Sequence, residues 1–513
     1  VTPLGTLSEA LMLDRGAAEA SALSDDARME SAARGMVAAL GADPDLMAAI
    51  RNSSVPAVGL CGNGNNGGDT LAVLRQLADS GLTGLVAIMG AASSALLERQ
   101  KAAAVAAGVA IVPPEEAEAA ILVSRAGVII DGIAGAGYHG PRRQSLSALF
   151  GLAGLARCPV VAVDIPSGLG PLASPDLDPE PPMHSAVTLC VEPVKAELYF
   201  PGYRSSAGRV EAIGGVFARA SSSETGIQLL DGDDMERLLP SLDPDSHKGT
   251  RGALGVYAGA SGSTGAAVLC SRAGAAAGAG SVTLMARDEI LGTLSGMLVS
   301  QMVRPISDPG NRHFSALVAG PGWGIDALSR RLLDGLWDAD VPLVLDADAL
   351  ALLAERPVAV RRHPLVITPH PGEFVAVAAV ALGLDAAEPL IRERLQRRAR
   401  FDTAAIVRET AAALGAVVIL KNSVTWIGGP GGALAVWDGR NPAMATAGSG
   451  DVLAGLVGGL LARGASPFDA ARAAVIVHGL AGCAAVTQGF FDAEALLAPA
   501  AALAYARRPD GNA

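Results

Sequence analysis

Short β-rich runs alternate with Ala/Leu-rich stretches along almost the whole chain. Runs at 55–60, 84–89, 109–112, 128–130, 160–163 and 187–189 read as strands, and 70–79 and 94–107 read as helices between them. This alternation predicts parallel strands joined by crossover helices. Residues from about 7 to 40 read as leading helices. The rhythm pauses over residues 216–226, where Ala220-Ser221-Ser222-Ser223-Glu224-Thr225-Gly226 is polar and turn-prone. A second series follows, with strands at 255–258, 282–285, 317–319, 343–345, 365–368 and 417–420 and closing helices at 452–463 and about 467–487. The fold class expected is α/β in two domains, 1–218 and 227–513, each a parallel sheet flanked by helices.

Length agrees, because 513 residues exceed what one core serves. Half the residues are apolar, Gly numbers 62 and aromatics are only 4%, which suits close helix–sheet packing. A net charge of −12 argues against nucleic acid or an anionic membrane surface as partner. An anionic ligand must then be held by local Lys, helix ends and backbone amides. Cys61, Cys158, Cys190, Cys270 and Cys483 are scattered, without zinc-finger spacing, and read as reduced core thiols of a cytoplasmic protein. The first residues lack a basic-then-apolar signal pattern, and no uninterrupted apolar stretch is long enough to span a bilayer. The basic run 392–400 reads as a solvated helix face.

Candidate chemistry gathers at strand ends. Gly448-Ser449-Gly450-Asp451 is a glycine-rich turn running into an apolar helix. Its amides and the helix N-terminus suit an anion. Asp451 would repel a bound phosphate, but it is placed to take a proton from a hydroxyl about to be phosphorylated. Upstream, the strand at 55–60 feeds Gly62-Asn63-Gly64-Asn65-Asn66-Gly67-Gly68-Asp69. The strands at 128–130 and 160–163 deliver Asp131, before Gly132-Ile133-Ala134-Gly135, and Asp164, before Ile165-Pro166-Ser167-Gly168, at their tips. One such Asp is as often a turn or cap residue. Two, with an Asn-rich loop, make an oxygen-lined cluster fit for a cation and a polar ligand.

The Asn65–Asp69 and Val163–Gly168 segments, in this order, resemble the NAD(P)H-hydrate epimerase domain, which is Rossmann-like, over about residues 7–215. The resemblance implies that Asn65, Asn66, Gly67, Gly68, Asp69, Gly135, Ala136, Gly137, Tyr138, His139, Gly140, Pro141 and Asp164 line the substrate, and that K⁺ sits with Asn66, Asp131 and Ser167. Asp164 is then the candidate that shuttles a proton during epimerisation. Thr70 stands where that family usually has Gly.

In the second half, Gly259–Ala266, Gly320–Gly324, Asp346–Leu350, Thr368-Pro369-His370-Pro371-Gly372-Glu373, Lys421–Thr425 and Gly448–Asp451 follow in order. This set resembles the ribokinase-like ADP-dependent NAD(P)H-hydrate dehydratases, over nearly all of 228–500. By that resemblance Ala266, Gly322, His370 and Asp451 contact the hydrate, and Lys421, Asn422, Ser423, Val424, Thr425 and Gly450 hold the nucleotide. Asn422 departs from the Lys-Gly often found there. Mg²⁺ is the implied metal, ADP the co-substrate, and NADHX and NADPHX the substrates. His478, amid apolar helical residues, reads as core. The expectation is a bifunctional cytoplasmic repair enzyme, homo-oligomeric, without nucleic-acid or membrane partners. The alternatives are a small-molecule kinase of the sugar or vitamin type fused to a nucleotide-binding domain, and a non-catalytic nucleotide-binding protein.

Overall fold

The computed structural model describes residues 2–20, 24–138, 144–171, 176, 178–216, 226–308, 313–357 and 359–505. They form two compact units, one essentially 3–226 and the other essentially 227–513.

In the N-terminal unit all strand pairings are parallel. The order across the sheet is Ala110–Val112, Val86–Ile88, Val55–Cys61, Ala126–Gly132, Val160–Val163, Val187–Val191 and Arg209–Ile213. Successive side chains point to opposite faces, so Val58, Leu60 and Ile129 enter one core and Ala57, Cys61, Val128 and Ile130 the other. Helices Leu7–Ala20, Asp25–Ala42 and Pro44–Arg51 precede the sheet. Strand order reverses beside Val55–Cys61, whose neighbours are Val86–Ile88 and Ala126–Gly132. The carboxyl ends there form a crevice, the usual ligand position of such sheets.

The C-terminal unit repeats the principle. Met302–Pro305, Ser281–Ala286, Ala253–Tyr257, Ala316–Ala319, Leu343–Leu345, Leu365–Ile367 and Val417–Leu420 run parallel, with the reversal between Ala253–Tyr257 and Ala316–Ala319. The expectation of parallel strands fails at one edge. Thr425–Gly428 pairs antiparallel with both Val417–Leu420 and Leu434–Trp437. The connections there are too short for the crossover that parallel pairing needs.

Helices Thr264–Ala276 and Ser449–Ala462 lie backbone to backbone, because a Cβ on Gly455 would stand 2.2 Å from the Cys270 carbonyl oxygen. Helix Pro467–Ala485 is long and apolar enough to cross a membrane by length and composition. It contains Arg472, however, and its Ala470–Val477 side chains are mostly packed in the core. The basic run does form part of a helix, Pro389–Phe401. Cys61, Cys190 and Cys270 are buried and half-buried Cys158 packs against the core, whereas Cys483 is exposed, so the expectation of core thiols fails there. Burial pushes the Cys61 thiol far up, which makes it a poor nucleophile.

Candidate active sites

A cavity of about 710 Å³ opens at the strand-order reversal of the N-terminal unit. Asn63, Gly64, Asn65, Asn66 and Asp69 line it, with Gly135, Ala136, Gly137, Tyr138 and Asp164. The segment expected as a loop is helical from Asn65, because Gly64 serves as N-cap. No side chain caps this helix, so its first amides remain available to a ligand. Helical rotation carries Gly67 and Gly68 away from the cavity. A Cβ on Gly68 would lie 2.8 Å from Met29 Cε, and one on Gly67 2.0 Å from the Gly62 carbonyl oxygen. Thr70 is accommodated beside Gly132 and donates to the Asn66 carbonyl oxygen at 2.8 Å. His139, Gly140 and Pro141 lie outside the described residues.

Gly62 is fixed by space. A Cβ there would stand 1.9 Å from the Ile133 carbonyl oxygen, across the crevice. Gly62→Ala must therefore push the two crevice loops apart. We expect a loss of about 1–3 kcal/mol in the N-terminal unit, measured by denaturant unfolding. The same variant should impair the N-terminal reaction and spare the C-terminal one.

Asp131 is fully buried. It accepts from Ser167 N at 2.8 Å, Ser167 Oγ at 2.5 Å and Ile133 N at 3.3 Å. All three donors are neutral, and burial raises the carboxyl to about 6. Asn66 is held beside it, donating Nδ2 to the Val163 carbonyl oxygen at 2.9 Å. The structure thus collects Asn66, Asp131 and Ser167 into one buried, oxygen-rich cluster. A buried carboxylate with neutral partners is costly. The donor set therefore fits a hard monovalent cation, which would offset the charge.

Asp164 holds φ 66°, in the left-handed region. Its Oδ1 accepts from Val191 N at 3.1 Å and from the ammonium of Lys195. Lys195 also lines the cavity, and its side chain is 4% exposed. Burial opposes its charge, but Asp164 and its other anionic neighbours leave the ammonium raised above its ordinary value. Sequence reasoning missed Lys195. The available signal was its place four residues beyond the strand tip at Val191, on the same edge as Asp131 and Asp164.

In the C-terminal unit the loops at strand carboxyl ends also converge. Gly322, at φ 55°, comes so close to Ala266 that a Cβ would lie 3.0 Å from the Ala266 Cβ. Gly324 N donates to Asp348 Oδ2 at 2.7 Å, joining the next strand end. Asp346, almost fully buried, accepts from Thr368 Oγ1 at 2.7 Å and from Lys421 Nζ at 2.6 Å. Lys421 Nζ in turn is 3.2 Å from where a Cβ on Gly450 would be. The lysine therefore lies against the Gly448–Asp451 turn. Asp346 is the buttress that aims Lys421.

Helix Ser449–Ala462 starts from Gly448 in the left-handed region, uncapped by any side chain, with Asp451 in its first turn. Burial, then Asp346, raise the Asp451 carboxyl to about 6, while Lys421 opposes them. His370 is exposed, and its Nδ1 accepts from Gly372 N at 3.0 Å and Glu373 N at 3.3 Å, capping helix Pro371–Ala381. An Nδ1 that accepts leaves the proton of a neutral ring on Nε2. Lys421 N donates to the Pro369 carbonyl oxygen at 2.8 Å, which joins this corner to the site.

Asn422 is exposed and its Oδ1 accepts from Ser423 N at 2.8 Å. The Val424 side chain is fully buried, so only its backbone can meet a ligand. Thr425 begins a strand and donates to the Asn422 carbonyl oxygen at 3.2 Å. His478 is half-buried and lies beneath the turn, Nε2 to the Ser449 carbonyl oxygen at 2.9 Å. Burial lowers its imidazolium to about 4, which keeps the ring neutral.

Among the described residues no group of three or more His, Cys, Asp or Glu could hold a metal. Asp346 and Asp348 are engaged as above. The carboxylate oxygens of Asp346, Asp348 and Asp451, which lie near one another, are hard donors of the type that suits magnesium.

Residues 25–195 match the family described as YjeF-related protein N-terminus, and residues 254–500 match the family described as NAD(P)H-hydrate dehydratase. The bifunctional NAD(P)H-hydrate repair enzyme Nnr of Mycobacterium tuberculosis is 33% identical over 463 residues, 88% of each chain. The Escherichia coli enzyme of the same name is 32% identical over 427 residues, 82% of this chain and 79% of that protein. Among solved structures, the ADP/ATP-dependent NAD(P)H-hydrate dehydratase of Bacillus subtilis, co-crystallised with ATP/Mg²⁺, is 26% identical with a TM-score of 0.47. It is matched over 54% of this chain and 97% of that one.

Proposed function

The chain belongs to the bifunctional NAD(P)H-hydrate repair enzymes, and we infer that its two strand-end sites divide the work between them. It is an NAD(P)H-hydrate epimerase and an NAD(P)H-hydrate dehydratase on one polypeptide. The division at about 218–227 assigns epimerisation of the R and S hydrates to the first half. Dehydration of the S form goes to the second, ribokinase-like half. The observation that carries this assignment is the pair of distinct carboxylate–lysine sites, Asp164–Lys195 in the reversal cavity of the first sheet and Asp346–Lys421 with Asp451 at strand carboxyl ends of the second.

In the first site, loss of the ring hydroxyl leaves a cation delocalised onto the ring nitrogen, and water returns on the other face. Asp164 moves the proton and stabilises that cation. Asn65, Asn66, Asp69 and the Gly135–Tyr138 turn enclose the dinucleotide, with the amides of the uncapped helix facing its phosphates. Potassium would be held by Asn66, Asp131 and Ser167, where it supplies the positive charge that buried Asp131 lacks.

In the second site, Asp451 accepts the proton of the hydrate's hydroxyl as that oxygen attacks the terminal phosphate of ADP. Phosphate then leaves from carbon, driven by the ring-nitrogen lone pair, and the resulting iminium loses a proton from the adjacent ring carbon, which restores the dihydronicotinamide with release of AMP and phosphate. Hydroxide is a poor leaving group and phosphate a good one, which is why the nucleotide is consumed. Lys421 and the Gly450 amide meet the phosphates; Ala266, Gly322 and His370 border the hydrate. Magnesium would ride on the phosphate oxygens, neutralising their charge. The enzyme acts in the cytoplasm as a homo-oligomer on this view.

The test is recovery of dihydronicotinamide absorbance from a mixed R/S NADPH hydrate with Mg²⁺, K⁺ and either ADP or ATP. Full recovery with ADP is expected. A phosphorylated product that accumulates would instead identify a small-molecule kinase.

A further inference from the structure

We propose that Lys195 is the positioning residue of the N-terminal site: its buried ammonium, with the Val191 amide, fixes Oδ1 of Asp164 and leaves Oδ2 for the substrate. This rests on the assignment of that cavity to epimerisation. All three hydrogen bonds to the Asp164 carboxylate, from the Val191 amide, the Lys195 ammonium and Cys190 Sγ at 3.9 Å, fall on Oδ1. Among the described residues no hydrogen bond is made to Oδ2, and Asp164 lines the cavity. The ammonium is held in turn by the Val191 carbonyl oxygen at 2.7 Å. Strand Val187–Val191 thus supplies both the amide that binds the carboxylate and the carbonyl that anchors its counter-ion.

Backbone geometry points the same way. Asp164 sits at φ 66°, in the left-handed region that residues other than glycine seldom adopt. Its own amide is held by the Leu189 carbonyl oxygen at 2.9 Å. The strand that fixes the backbone also fixes the carboxylate, so the strained turn serves to aim one oxygen. Titratable and charged groups facing Lys195 are Asp164 from the neighbouring strand tip, Cys190 from the strand, and Glu197 from its own segment. Burial keeps the Cys190 thiol protonated up to about 12, and burial raises Glu197 to about 7, where the Leu7 amide binds it at 3.0 Å. Asp164 is thus the carboxylate to which the ammonium donates.

The experiment uses the full-length protein and separated R and S hydrates of NADPH, with epimer exchange followed by chromatography in K⁺. For Lys195→Met we expect kcat to fall about 100-fold, within the range of proton-transfer effects, with KM changed less than about threefold. Lys195→Arg, which keeps the buried cation, should recover most of kcat.

An unchanged kcat in Lys195→Met overturns the proposal. So does a loss that Lys195→Arg shares in full together with lowered thermal stability, since that is a structural role. Asp164→Asn separates the two levels. If that variant exchanges epimers normally, the assignment of the carboxylate itself fails. If it is inactive while Lys195→Met is normal, only the positioning role fails.

Discussion

Asp451→Asn is expected to reduce dehydration of the S-hydrate by about 10³-fold or more while epimer exchange continues at the normal rate. The substitution keeps the side chain's shape and removes its ability to accept a proton, a loss that costs about 10²–10⁴ in such steps. Asp451 is suited to the task because burial, and then Asp346, lift its carboxyl to about 6. A base poised there is ionised at neutral pH yet still basic. The sign follows: activity present above pH 6 should fall as pH drops through about 6, approaching tenfold per unit. Phosphate release and absorbance recovery from pure S-hydrate with ADP measure both effects. Retention of a tenth of the wild-type rate by Asp451→Asn would remove the residue from the proton-accepting role. Continued epimer exchange is the internal control for folding of the other half.

Asp164→Asn should give the mirror image. Dehydration of S-hydrate proceeds, the R-hydrate stays, and absorbance recovery from a mixed sample stops at the S fraction, with exchange slowed about 10²-fold or more. Asn tolerates the left-handed backbone that Asp164 adopts, so the turn is preserved and only the charge is lost. The consequence for stability is separate. Removing one partner strands the buried Lys195 ammonium, which typically costs about 3–5 kcal/mol. The double variant Asp164→Asn/Lys195→Met should regain much of that stability and none of the exchange activity. Calorimetry alongside the exchange assay checks the pair. A double variant as unstable as the single one would mean that shape, not charge, dominates there.

Sequence alone carried a great deal. The spacing of apolar runs located most of the central strands. Glycine-rich segments at their carboxyl ends marked both crevices, because turns of that shape and close backbone approaches need residues without a Cβ; Gly62 and Gly322 are clear cases. Asp131, Asp164 and Asp451 were visible because a carboxylate at a strand tip or helix start lies where ligands bind. Ends of elements were less legible. Helix Asn65–Asp79 begins earlier than its pattern suggests, since Asn and Gly are weak helix formers and only the Gly64 cap and the surrounding loops hold the first turn.

What tertiary structure decided was pairing. Lys195 lies 31 residues from Asp164, and Lys421 lies 75 residues from Asp346. Neither pair shares a helix face or a hairpin. Each forms because its two strands end on the same edge of a sheet, and strand order is set by packing across the whole unit. Likewise, Gly67 and Gly68 belong to the binding segment in sequence yet turn toward packing, because helical rotation puts Asn65, Asn66 and Asp69 on the open side. Local sequence chose the residue types and their elements; which charges meet, and which faces remain open, followed from long-range burial.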